Sequence, residues 1–181
     1  MKYNGIIITG LPFSGKSTLT KELSNKYGLE KYSIGQKWRE RWKEKYPNQE
    51  ISFENYWRET SRQENKEMDD KAKEIFERGH IIGDSRYSSL YCKNIPLFFV
   101  FLYADVETRV ERCLSHNEKY VNRTPEEIER VIHDRENDEF ERGIELYSED
   151  YRDPKHYHII LNSGILAVEE EIRAVDALLK S

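Results

Sequence analysis

Residues Gly10-Leu11-Pro12-Phe13-Ser14-Gly15-Lys16-Ser17 are spaced as G-x-x-x-x-G-K-S, directly after the apolar run Ile6-Ile7-Ile8-Thr9. A loop of this kind turns its backbone N–H groups inward, where they surround an anion. The helix that starts at Lys16 adds the partial positive charge of its N-terminus. In that arrangement Lys16 reaches the β- and γ-phosphates of a nucleotide, and the Ser17 hydroxyl is offered to Mg2+. The bland alternative is a glycine turn ahead of an ordinary helix. Context favours the phosphate loop, because a strand precedes it and Leu19, Leu23 and Tyr27 follow at i, i+4 and i+8. The expected nucleotide contacts are thus Gly10, Leu11, Pro12, Phe13, Ser14, Gly15, Lys16, Ser17 and Thr18.

A second set of residues also suits phosphate. Ser33, Gly35 and Arg39 follow the first helix, Asp84-Ser85-Arg86 ends an apolar run, and Arg109 and Arg112 lie in a helical stretch. Arg123, Arg135 and Arg142 come later. Two phosphate-bearing substrates in one cleft need their charge neutralised and their reacting oxygens aligned. Arginine stays ionised and binds phosphate oxygens two at a time. Arg135 and Arg142 lie on one helix face, about 10 Å apart along its axis. Each residue has an ordinary reading as well. Arg39, Arg109 and Arg112 can be solvated surface groups, and Arg123, Arg135 and Arg142 can pair with Glu127, Glu139 or Asp138 across helix turns. Asp84 can contact a metal-bound water or cap a turn. Trp38, Trp42, Tyr56 and Trp57 read as a small core in preference to a base-stacking platform. The histidines show no metal-ligand spacing.

The elements that must position these groups alternate. Strands are expected over 5–9, 31–33, 80–84, 97–103 and 157–161, with amphipathic helical patterns between them. That order means a parallel sheet covered on both faces, with ligands at the carboxyl ends of its strands. Segments 36–78 and 117–146 do not fit a minimal core. Both are rich in charge, and the second opens with Thr124 as N-cap and Pro125 at the first helical position. They read as helical insertions on the ligand edge, where lids belong.

The chain has 181 residues, enough for one domain, with 29 Lys and Arg against 34 Asp and Glu, a net charge of −5. That balance argues against a general nucleic-acid binder. Mean hydropathy is −0.87, and no apolar stretch approaches the ~20 residues that cross a bilayer. The N-terminus runs straight into the first strand, and Cys92 and Cys113 read as free thiols, so a cytoplasmic location is expected.

Taken together, these motifs resemble those of the nucleoside monophosphate kinases, and within them the archaeal-type cytidylate kinases. The resemblance runs along nearly the whole chain. Ser33, Gly35 and Arg39 are similar to the S-x-G-x-x-x-R segment opening the monophosphate-binding helices, and Asp84-Ser85-Arg86 to the acidic-x-Arg end of the third strand. Arg109-Val-Glu-Arg112 resembles the family's R-x-x-R helix, Arg135 through Arg142 and Tyr147 its lid helix, and Asn162-Ser163-Gly164 its donor-base loop. The sequence departs from the pattern at Leu11 and Phe13, where glycine or alanine is usual. It also departs at Asp84 for glutamate, Ser85 for glycine and Ala72 for glutamine.

The resemblance implies an α/β P-loop fold of three layers with a five-stranded parallel sheet, a monophosphate-binding insertion over 35–78 and a lid over 117–146. The core would comprise 1–34, 79–116 and 147–181. It implies ATP as phosphoryl donor with Mg2+, and CMP or dCMP as acceptor. Lys16, Arg39, Arg86, Arg135 and Arg142 are the expected catalytic residues. Ser17 and Asp84 would hold the metal, and Arg112, Asn162 and Ser163 the donor. Ser33, Gly35, Arg39, Asn65, Asp69 and Arg86 would hold the acceptor, with Asp69 accepting from the cytosine N4 amino group and Asn65 donating to N3 or O2. The partners expected are small-molecule nucleotides, with no nucleic acid or membrane, and the chain is expected to act as a monomer. The alternatives are an AMP or UMP kinase, a kinase of a small alcohol with Asp84 as base, and a non-catalytic ATP-binding module. No N-K-x-D guanine motif is present.

Overall fold

The five apolar runs form strands β1 (Gly5–Gly10), β2 (Glu30–Ser33), β3 (Ile81–Asp84), β4 (Leu97–Tyr103) and β5 (Ile159–Asn162) in the computed structural model, which describes residues 2–116, 120 and 122–180. All pair in parallel, in the order β2-β3-β1-β4-β5. β1 is buried along its whole length and β4 nearly so, as continuous apolar runs must be when helices cover both faces. The last strand begins two residues later than expected, because Pro154–His156 closes a single 3-10 turn first.

Side chains of β1 alternate between two cores, as the two-residue period of a strand requires. Ile6 and Ile8 pack with Leu19 and Leu23 of α1 (Lys16–Tyr27) and with Val175 and Leu179 of the C-terminal helix, Val168–Leu179. Ile7 faces the other way, towards α2 (Ile34–Lys45), α3 (Phe53–Glu59) and α4 (Arg62–Arg78). Trp38 and Tyr56 are buried in that second core, and Trp42 and Trp57 pack against it, so the insertion's aromatics build a core of their own. A short helix α5 (Ser88–Tyr91) follows β3, α6 (Val106–His116) follows β4, and α7 (Pro125–Tyr147) runs back across the ligand edge. The C-terminal helix is α8. The Thr124 cap forms with Glu127 as its reciprocal partner. The expected lid start at 117–119, and residue 121, lie outside the described residues. Among the described residues, no helix is long and apolar enough to cross a membrane.

Strand register assembles the site. Ser33 of β2 pairs with Asp84 of β3, which pairs with Ile8 of β1, two residues before the loop. The Thr9 hydroxyl donates to the Ser85 carbonyl at 2.8 Å, locking the β3 end against the loop's entry. On the other side Leu102 accepts from the Leu11 amide at 3.0 Å. Gly10 is pressed so close to Leu102 that an added Cβ would lie 2.0 Å from its carbonyl oxygen, at a φ of 150°. Gly10→Ala is therefore expected to destabilise the protein by about 3 kcal/mol or more, as strained backbone and forced displacement combine. A urea-unfolding midpoint measures this, and a midpoint equal to wild type would contradict the close approach.

Candidate active site

The phosphate loop is held from three directions. Gly15 takes φ 87° and Phe13 φ 60°, the left-handed region that costs a side chain roughly 1–2 kcal/mol. The Phe13 ring offsets that cost by packing against the cluster of Val110 and Cys113 from α6 with Ile128 and Ile132 from α7. A bulky residue thus stands where glycine is usual because it ties the loop to the lid helix. From the β5 side, the buried Ser163 hydroxyl donates to the Ser14 carbonyl at 2.8 Å. Lys16 crosses the loop and donates to the Gly10 and Leu11 carbonyls at 3.0 and 2.6 Å. Burial, then Arg86 nearby, lowers its ammonium to about 7 against the pull of Asp84 and Glu139. Ser17 and Thr18 are exposed at the helix start.

On the acceptor side, Ser33 caps α2, accepting from the Gln36 amide. Its hydroxyl also reaches Asp84 at 3.5 Å. Arg39 donates to the Gly35 carbonyl at 3.1 Å and lies 5.0 Å from the Phe53 ring centre. Burial, with Arg135 and Arg86 close by, lowers its guanidinium pKa. Burial works the same way on Arg86, but Glu139 with Tyr151 and Tyr87 outweighs it and raises the net value. Lys16, Arg39, Arg86 and Arg135 thus share one electrostatic neighbourhood, with Asp84 and Glu139 at its centre and Glu54 beside Arg39.

The donor-side arginines are committed to structure. Arg112 donates to the Ser163 hydroxyl and carbonyl at 3.0 and 2.6 Å, clamping the Asn162-Ser163-Gly164 turn beside the phosphate loop. Asn162 accepts from the Gly164 amide within that turn. Arg109 is buried and links the Ala104 carbonyl to Glu136 of α7.

In α7, Arg135 pairs with Glu139 across one turn, and Arg123, just before the Thr124 cap, reaches Glu127 in the first turn. Arg142 departs from expectation. Its guanidinium donates to the Thr60 carbonyl at 2.7 Å and the Arg58 carbonyl at 2.9 Å and covers the Trp57 ring at 5.2 Å. The end of α3 offers unsatisfied carbonyls at that spot, so Arg142 sews α7 to α3 and does not join the phosphate cluster. Asn65 departs likewise. Its amide hydrogens go to the Thr60 hydroxyl and Ser61 carbonyl at 3.0 and 2.8 Å, leaving no donor for a base.

Asp69 is buried and accepts the Tyr147 hydroxyl from the far end of α7. Burial pushes its carboxyl up to about 7, against the opposing Tyr147 hydrogen bond. Two partners escaped sequence reasoning: Glu139 as a ligand of Arg86, and Tyr147 as a ligand of Asp69. The only sequence signal was the helical spacing of Arg135 and Glu139.

Among the described residues no cluster of three His, Cys, Asp or Glu side chains could hold a metal alone. Ser17 and Asp84, beside a phosphate loop, fit an ion of the Mg2+ kind, which keeps waters and shares phosphate oxygens.

Comparison with known proteins shows the family and the fold. Residues 6–165 match the cytidylate kinase-like family. A cytidylate kinase of Thermoplasma volcanium is 33% identical over 91% of this chain and 85% of its own. One from Methanoregula boonei is 31% identical over 91% and 88%. Shikimate kinase from Bacteroides thetaiotaomicron shares the fold, with a TM-score of 0.63 at 17% identity over 98% of both chains. The chain belongs to the cytidylate kinase-like family and is a kinase.

The raised carboxyl of Asp69 gives a pH signature. Its contribution to stability is fully present below the unfolded value near 4 and is lost as pH rises through about 7. Asp69→Asn, neutral at every pH, is expected to match wild type below about pH 4, to gain on it as pH rises, and to exceed it by on the order of 2–4 kcal/mol at pH 8. Denaturant unfolding of both proteins across pH checks this; a difference constant with pH would contradict the buried assignment.

Proposed function

We propose that this member of the cytidylate kinase-like family transfers the γ-phosphoryl group of ATP to a nucleoside monophosphate, with CMP and dCMP as preferred acceptors. The observation that carries the reading is the grouping of Lys16 in the phosphate loop, Arg86 and Arg135 on the shared Glu139 carboxylate, and Arg39 close to both arginines. A triphosphate and a monophosphate together supply the anions that four such cations neutralise.

An acceptor phosphate oxygen is already an anionic nucleophile, so no general base is needed. It attacks the γ-phosphorus as the bond to the β–γ bridging oxygen breaks and ADP leaves. Lys16 and the loop amides hold the donor phosphates. Arg39 and Arg86 hold the acceptor phosphate, and Arg135 faces the group in flight. Positioning and charge neutralisation carry the catalysis. Mg2+, held by Ser17 and by Asp84 through water, would neutralise donor-phosphate charge. Helices α2 to α4 act as the monophosphate-binding insertion and α7 as the lid that excludes water.

Base choice rests on Asp69. Tyr147 occupies its Oδ2, and Oδ1 makes no hydrogen bond among the described residues, so it can accept from the N4 amino group of cytosine. Uracil presents a carbonyl there, and such a mismatch costs about 1–3 kcal/mol, roughly tenfold or more in selectivity. The relatives named cytidylate kinase support the same choice.

A coupled assay of ADP release tests the reading. ATP consumption is expected to require a monophosphate, with kcat/KM for CMP and dCMP at least about tenfold above UMP and AMP, and Asp69→Asn compressing the CMP-to-UMP ratio. ATP consumption independent of monophosphate would overturn the reading, and AMP as best acceptor would overturn the base assignment.

A further inference from the structure

Two arginines from distant parts of the chain meet on one buried carboxylate. Glu139 of α7 is 3% exposed. Its Oε1 accepts from Arg135 Nε at 2.8 Å, and its Oε2 pairs with Arg86 Nε at the end of β3. Each oxygen thus takes one arginine, and each arginine gives the nitrogen nearest its stem. Neither makes an Nη hydrogen bond among the described residues, so both keep the two-nitrogen end that binds phosphate in a fork. The other buried arginines differ, with Nη groups of Arg109 spent on Glu136 and those of Arg142 on backbone carbonyls.

The carboxylate is itself held. Tyr87 donates its hydroxyl to the Glu139 carbonyl at 2.7 Å, fixing this turn of α7 over the residue that follows Arg86. The guanidinium of Arg135 lies 5.6 Å from the Phe13 ring centre in the phosphate loop, which restrains its plane. A carboxylate this deep is tolerated only with its charge matched, and the two guanidiniums match it, Arg135 through a hydrogen bond to Oε1 and Arg86 through an ion pair at Oε2 that lacks hydrogen-bond geometry.

We propose that Glu139 is the positioning residue for phosphoryl transfer: one buried carboxylate orients Arg86 and Arg135 so that their Nη ends converge on the transferring group, and joins the lid helix to the end of β3. This rests on the phosphoryl-transfer reading above. Glu139 touches no substrate and acts through the two arginines.

Glu139→Gln keeps shape and one acceptor oxygen but removes the charge. The expected result is a fall in kcat of about tenfold or more, with KM for ATP within about threefold, since donor ground-state binding stays with the loop. In an Arg86→Ala/Arg135→Ala background, Glu139→Gln is expected to change kcat less than twofold, because its targets are gone. Full additivity there, or a rise in KM with kcat unchanged, would overturn the proposal as a case of structural support only. Should Glu139→Gln fail to fold, Glu139→Asp serves: it keeps the charge on a shorter stem and is expected to lower kcat with KM for ATP held, and unchanged kcat overturns the proposal.

Arginine Nε–H signals of the nucleotide-free protein supply a readout independent of activity. The signal of Arg135, which donates to Glu139 Oε1, is expected to exchange slowly in wild type and fast in Glu139→Gln. Fast exchange in wild type would overturn the shared carboxylate. Slow exchange in a wild type with no monophosphate-dependent transfer would overturn the catalytic role together with the functional reading, while leaving the clasp in place.

Discussion

Four cations crowded around one loop repel one another, and the structure is arranged around making that crowding tolerable. Arg86 and Arg135 lie close enough to Lys16 and to Arg39 to oppose the charge on each. Without substrate, the carboxylates facing them include Asp84, Glu139 and, beside Arg39, Glu54. Glu139 takes two guanidiniums at once, and Lys16 turns back onto the loop's own carbonyls. The balance is partial, and the remaining positive potential is what a pair of phosphorylated substrates meets.

The rest of the fold holds this cluster in register. Parallel pairing brings Ser33, Asp84 and the end of β1 side by side. Gly10 allows the loop to press on Leu102, and Ser163 anchors Ser14 from the opposite side. Helix α7 is tied to α6 through Arg109 and Glu136, to β3 through Glu139 and Arg86, to the end of α3 through Arg142 and to α4 through Tyr147. Phe13 adds an apolar tie from the loop. Binding chemistry and fold stability therefore share residues, which is why several arginines of this edge serve architecture.

What was legible in the sequence follows from the range of each interaction. The phosphate loop, the strands and the Thr124 cap depend on residues within a turn or two of one another, and their patterns were readable. The Arg135–Glu139 and Arg123–Glu127 pairs were readable for the same reason, through helical spacing. Arg142 looked equivalent to Arg135 because both share a helix face, yet its partners are carbonyls at the end of α3, set by how two helices cross. Asn65 and Asp69 sit one turn apart and by type both suit the acceptor base, one as donor and one as acceptor, but the first is consumed by Thr60 and Ser61 while the second meets Tyr147. Phe13 looked like a poor fit for its loop, and only the packing of α6 and α7 shows what it gains there.

The central claim is that phosphate charge completes a site built jointly by the loop, the insertion and the lid. Hydrogen exchange of the full chain, with and without adenosine and cytidine joined by five phosphates, tests it most directly. The account predicts added protection in both 36–78 and 125–147 when the analogue binds. Binding that leaves exchange in both segments unchanged would contradict it.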